Sequence, residues 1–93
     1  MTGGSPHQVI NPADGSVVAE IALAASADVD TAVASARAAL HSWSTATPVE
    51  RSTVLAKLAE LVEANAEEII AEEVSQTGKP VRLATEFDVP GSI

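Results

Sequence analysis

At 93 residues the chain can form at most one small domain, and its formal charge of −8 repels both nucleic acid and anionic membrane. No apolar run approaches the length of a membrane span, and the polar residues 1–8 are expected to be neither a signal peptide nor a transit peptide. The sequence holds no cysteine, which excludes a disulfide framework and fits an expected cytoplasmic location.

Residues 1–8 are polar, include Gly3-Gly4-Ser5-Pro6, and read as a flexible tail. Val9-Ile10 is a short apolar run ending in Asn11-Pro12-Ala13-Asp14-Gly15, where Asn-Pro and Asp-Gly both favour a turn. Val17, Ala19, Ile21 and Leu23 then alternate with period two, the pattern of a strand. The two segments can pair with each other as a hairpin or with separate partners.

Ala25 or Ser26 opens the first helix, with Val29, Val33, Ala36 and Leu40 on one stripe. Asp28 and Asp30 favour the positive end of its dipole. The pattern fades at His41-Ser42, which places Trp43 in the connection. Thr47-Pro48-Val49-Glu50 is a capping box with proline at the first helical position. Val54, Leu55, Leu58, Leu61 and Val62 form the stripe of that helix. Asn65-Ala66-Glu67-Glu68 reads as a second capping box, restarting a helix whose apolar face is Ile69, Ile70 and Val74. Gly78 caps it and Pro80 forbids its continuation. Residues 81–87 begin another helix, interrupted by Pro90-Gly91. The expected fold is thus a short strand pair followed by three or four amphipathic helices.

Candidate chemistry is sparse. Glu60, Glu63, Glu67, Glu68, Glu72 and Glu73 could suggest a metal or acid–base cluster, but the plain reading is a solvated helix face. His7 and His41 lack any triad context. Trp43 between two amphipathic helices reads as core rather than as a stacking platform. Gly78-Lys79 lacks the upstream loop of a Walker motif, and no Gly-x-Gly-x-x-Gly occurs.

In order and spacing, Asn11-Pro12-Ala13-Asp14-Gly15, Asp28-Val29-Asp30, Trp43, Pro48-Val49-Glu50-Arg51 and Thr77-Gly78-Lys79-Pro80 resemble the N-terminal segment of the aldehyde dehydrogenase superfamily. The nearest flavour is the betaine-aldehyde or aminobutyraldehyde group. The resemblance covers about Val9 to Asp88. It implies an N-terminal piece of the α/β aldehyde dehydrogenase fold, residues 9–93 being the start of the NAD(P)-binding domain and apparently truncated. The whole enzyme would oxidise an aldehyde to a carboxylate through a cysteine thiohemiacetal, hydride transfer to NAD or NADP and thioester hydrolysis. The resemblance also implies a homo-oligomer. It places no catalytic or cofactor-binding residue in this chain, which is expected to be inactive and to need no cofactor by itself. It does imply a potassium or sodium site formed by Val9, Ile10 and Asp88, because hard cations take backbone carbonyl and carboxylate oxygens. One departure is that the family begins with an extra strand before the turn, and this tail offers none.

Large anchors are scarce: one Phe, one Trp, and 18 alanines within the 46% apolar fraction. Burying a Leu or Ile stabilises by about 1.5–3 kcal/mol, against an ordering cost of about 1–2 kcal/mol per residue. The chain is therefore expected to be marginal or self-associating, its partner being the remainder of the enzyme or another copy. The alternative is a free-standing acidic helical module that binds another protein through the Val54/Leu55/Leu58/Leu61/Val62 stripe.

Overall fold

The computed structural model describes residues 4–93. Two strands, β1 (Pro6–Ile10) and β2 (Val17–Ala22), precede four helices: α1 (Ser26–Thr45), α2 (Pro48–Ala64), α3 (Ala66–Thr77) and the short α4 (Val81–Leu83). A π-helical turn over Ala84–Asp88 and a 3-10 turn over Pro90–Ser92 prolong α4. This is the strand pair and helical series expected of an N-terminal piece of the α/β fold.

The strands pair with each other. They form an antiparallel hairpin with Pro6 opposite Ala22, Val9 opposite Ala19 and Ile10 opposite Val17. Val18 is the extra residue of a bulge at Val9/Ile10, which raises local twist. β1 begins at Pro6, so Pro6, His7 and Gln8 belong to a strand. That corrects the reading of residues 1–8 as a flexible tail without strand: backbone pairing with β2 overrides their polar composition. Met1–Gly3 lie outside the described residues.

The turn is fixed by its own side chains. Asn11 Oδ1 accepts from the Ala13 amide at 2.9 Å, and Asp14 Oδ1 accepts from the Ser16 amide at 2.9 Å and hydroxyl at 2.6 Å. Gly15 supplies the positive φ, 75°, at no steric cost.

α1 runs through Trp43 to Thr45, so Trp43 lies inside the helix rather than in the connection. Serine and threonine hydroxyls on that last turn bond back to carbonyls of the helix: Ser42 to Ala39, Thr45 to His41. They let a polar sequence continue the helix after the apolar stripe has ended. Trp43 is also 43% exposed, against the expectation that it is core. At the start of α1, Ala25 has no side-chain acceptor, and only the Asp28 carboxylate accepts back from the Ala25 amide, at 2.8 Å.

The capping box at α2 forms in both directions. The Glu50 amide donates to Thr47 Oγ1 at 3.2 Å, and the Thr47 amide donates to Glu50 Oε2 at 2.7 Å. The Thr47 amide, and then the Thr47 hydroxyl at 2.9 Å, donate to the Glu50 carboxylate and hold it below its ordinary 4.5. A depressed carboxyl contributes its stability above its unfolded value and loses it as pH falls through the folded one. Acidification from pH 5 toward pH 3 (roughly this window) is therefore expected to fray the α2 N-terminus, read by the Glu50 amide shift in NMR. Thr47→Ala should cost about 1 kcal/mol of helix stability and weaken that pH response. Arg51 Nη1 donates to the Ala46 carbonyl at 3.0 Å, tying the start of α2 to the end of α1.

At the α2–α3 break the second capping box does not form. Asn65 Nδ2 donates backward to the Leu61 carbonyl at 2.7 Å, and the cap of α3 has no side-chain bond. Because the Ile69 amide still reaches the Asn65 carbonyl at 3.1 Å, α2 and α3 are almost one kinked helix, and a new start needs no cap.

Burial is sparse. Among the described residues only Ala84 and Val89 are buried, at 0% and 6% exposure. Among the described residues α1 packs substantially on no other element. The main tertiary packing lies within the hairpin and where α3 meets residues 81–92. The radius of gyration is 17.4 Å, whereas a compact domain of this length has about 12 Å. The accessible surface is 7056 Å², well above the roughly 5,000 Å² of a compact monomer of this mass. The α1 and α2 stripes are part of that exposed surface. Val33, Leu40, Leu55 and Leu58 are all exposed.

Candidate functional site

The groups worth attention converge at the C-terminal end of α3. Gly78 ends that helix in the left-handed conformation, φ 70°, and its amide donates to the Val74 carbonyl at 3.0 Å. A left-handed residue here turns the chain sharply. Pro80 then sets the first turn of α4, whose Leu83 and Ala84 amides return to the Pro80 carbonyl at 3.0 and 3.3 Å.

Two distant motifs meet at this corner. A Cβ on Gly78 would stand 2.7 Å from Pro12 Cγ, so the hairpin turn is seated on the helix cap. Asn11 and Ala13 border a shallow groove whose other wall is Ile70, Val74, Gly78 and Val81. The Asn-Pro turn and the Gly-Lys stop are thus two halves of one contact. The absence of a side chain at Gly78 makes it possible.

Lys79 is the polar centre of the corner. Its Nζ lies 2.8 Å from Asp88 Oδ2 and 3.0 Å from Glu73 Oε1. The two carboxylates, Asp88 first, raise the Lys79 ammonium above its ordinary 10.5. With a raised pKa, the ammonium's contribution is complete below the unfolded value and lost as pH rises through the folded one. Glu73 therefore has a partner, whereas sequence alone placed it on a solvated face. The Lys57–Glu60 and Arg82–Glu86 pairs are exposed, same-helix contacts of little consequence.

The three residues expected to form a cation site are placed as follows. Val9 and Ile10 are adjacent in β1 at the bulge, and their strand pairs with β2. Asp88 ends the π-helical turn and is bound to Lys79. Its carboxylate already faces one positive charge, so a metal ion there would share it with an ammonium. Among the described residues no three His, Asp or Glu gather in a way that could hold a metal. The acidic run of α2 and α3 is a charged surface, with Gln76 Nε2 donating to Glu72 Oε2 at 2.7 Å. His7 lies in β1 and His41 in α1. What the contacts at this corner do is order backbone, joining the hairpin turn, the end of α3 and residues 81–88.

Sequence reasoning missed Lys79 and Glu73 as a pair. Lys79 follows a helix stop, and its partners lie six residues before and nine after it, spacings no local rule singles out.

A family model described as the aldehyde dehydrogenase family matches residues 2–93. The chain is 39% identical over 87 residues to the NADP/NAD-dependent aldehyde dehydrogenase PuuC of Escherichia coli K12, covering 91% of this chain and 18% of that protein. It is 40% identical over 93 residues to an aminoacetaldehyde dehydrogenase of Pseudomonas aeruginosa, covering 98% of this chain and 19% of that one. Among solved structures, PnpE in complex with nicotinamide adenine dinucleotide superposes with a TM-score of 0.88 at 42% identity, over 92% of this chain and 18% of that one. The chain spans under a fifth of the length of the relatives it matches.

Proposed function

Because the chain belongs to the aldehyde dehydrogenase family, we propose that it serves as the N-terminal segment of an NAD(P)-dependent enzyme that oxidises an aldehyde to a carboxylate. The observation that carries this reading is the family match over residues 2–93, together with the superposition of nearly the whole chain on 18% of a much longer chain at a TM-score of 0.88. NAD or NADP, when bound to the complete enzyme, accepts the hydride. The family resemblance assigns no cofactor-binding residue to this chain, so its part is expected to be architectural. Its hairpin and α3 corner hold their shape, and its α1 and α2 stripes present Leu40, Leu55 and Leu58 to a covering body.

The chain alone is expected to show no aldehyde-dependent reduction of NAD or NADP. The test is to read the gene beyond Ile93 and to assay the product of the continuous frame. A frame that runs on into a cysteine-bearing enzyme, active with an aldehyde, supports the reading. A stop codon, with a stable monomer that binds a specific partner through the α2 stripe, supports the free-standing acidic module instead. The family match gives that alternative no support.

Finer parts of the reading are proposals as well. A betaine- or amino-aldehyde substrate is supported by the 40% identity to the aminoacetaldehyde dehydrogenase. A cytoplasmic location and a homo-oligomeric full-length enzyme follow the family. Potassium or sodium near Val9, Ile10 and Asp88 is proposed on the chemistry of the oxygen donors. The competing Lys79 ammonium makes a weak site the expectation. Thermal melting in potassium or sodium against choline should show cation-specific stabilisation that Asp88→Ala removes. An equal response in the variant would argue against the site.

A further inference from the structure

We propose that Lys79 is a positioning residue: its ammonium latches residues 81–92 onto α3 by joining Glu73 to Asp88. This stands on the ion-pair geometry alone and does not depend on the family reading.

Three observations support it. Gly78 and Pro80 flank Lys79, so the chain reverses about this residue and the backbone is committed to leaving α3. The direction taken after the reversal is set by what holds the next segment. Glu73 lies on α3, and Asp88 closes the π-helical turn. Lys79 Nζ reaches both, at 3.0 and 2.8 Å. A single side chain thus ties the segment before the reversal to the segment after it.

The latched segment also holds both residues that are buried among those described, Ala84 and Val89. Their backbones are joined, the Val89 amide donating to the Ala84 carbonyl at 3.1 Å, an i→i+5 bond. Such π-turns are rare and appear mostly as single turns within helices. Here Asp88, the residue before Val89, is the anchored one. Apolar burial at Ala84 and Val89 is too small to fix the orientation alone. The ion triad supplies the missing constraint, and its side chains are 30%, 38% and 44% exposed for Lys79, Glu73 and Asp88. Exposure at this level leaves the triad open to screening by salt.

The test is residue-resolved amide hydrogen exchange on the 93-residue chain. In Lys79→Met, which keeps the length of the side chain and removes the charge, the Val89 amide should exchange faster by about threefold or more. Amides in α1 and the first turns of α2 should not change. Lys79→Arg should retain the protection, and the double reversal Lys79→Glu with Asp88→Lys should restore part of it. A smaller rise in Lys79→Met, or an equal rise in every helix, overturns the proposal. Should Lys79→Met fail to fold, the unmodified chain decides. Choline chloride at about 1 M shortens the screening length to roughly 3 Å and should raise Val89 exchange relative to α1. Choline is too large to replace a small hard cation, so a metal site would not give this response. Val89 protection that is indifferent to choline chloride overturns the latch.

Discussion

Gly78→Ala is expected to lower the stability of the chain by about 2–3 kcal/mol, the sum of a left-handed backbone penalty of about 1–2 kcal/mol and a steric term. The backbone at Gly78 has φ 70°, and the new methyl would meet Pro12 Cγ at 2.7 Å. Neither partner yields cheaply: Gly78 is fixed by the end of α3, and the Pro12 ring is fixed in the turn. Gly15→Ala is the matched control. It has nearly the same φ, 75°, but nothing lies within 4 Å of the added carbon. Its cost should be about 1 kcal/mol, the backbone term alone. Urea unfolding of both variants, and of Gly78→Ala combined with Pro12→Ala, separates the two contributions. In neighbours that touch, the double variant departs from additivity. Equal costs at Gly78 and Gly15 would mean that seating the hairpin turn on the helix cap adds nothing.

Ala84→Leu should destabilise the chain by about 1–3 kcal/mol, the usual cost of forcing extra methylenes into a filled site. Ala84 is fully buried, and the π-turn around it cannot widen without losing the Val89 bond. The informative comparison is Leu58→Ala. A buried leucine loses about 2–5 kcal/mol on truncation, yet Leu58 is 56% exposed. Its loss should cost the isolated chain well under 1 kcal/mol, on the order of a surface substitution. The same Leu58→Ala change should weaken self-association or docking to the rest of an enzyme far more than it weakens this chain. Thermal melting at low concentration, paired with sedimentation, reads both effects.

Much of the local structure was legible in the sequence because its signals are local. The Thr47–Glu50 box, the Gly15 turn and the Gly78 stop each require specific residue types at fixed spacing, and each forms as written. Where the reading failed, a non-local or competing interaction decides. Pairing with Val17–Ala22 draws Pro6–Gln8 into a strand. Hydroxyls at Ser42 and Thr45 carry α1 past Trp43. Asn65 turns its amide back to Leu61, so α3 starts without the expected cap. Trp43 is exposed because no other element packs substantially on α1, a matter of tertiary cover that periodicity cannot report. The corner was legible only in halves. Pro12 and Gly78 lie 66 residues apart, and nothing local in either predicts that they touch. Lys79 with Glu73 and Asp88 is invisible for the same reason.

The central claim is that the apolar faces of α1 and α2 are surfaces for a covering body outside these 93 residues. Small-angle scattering of the chain across a dilution series tests it most directly. The account predicts a monomer radius of gyration near 17.4 Å at the lowest concentrations, growing as the exposed stripes find one another. A concentration-independent radius of about 12 Å, the value of a compact domain of this length, would contradict it.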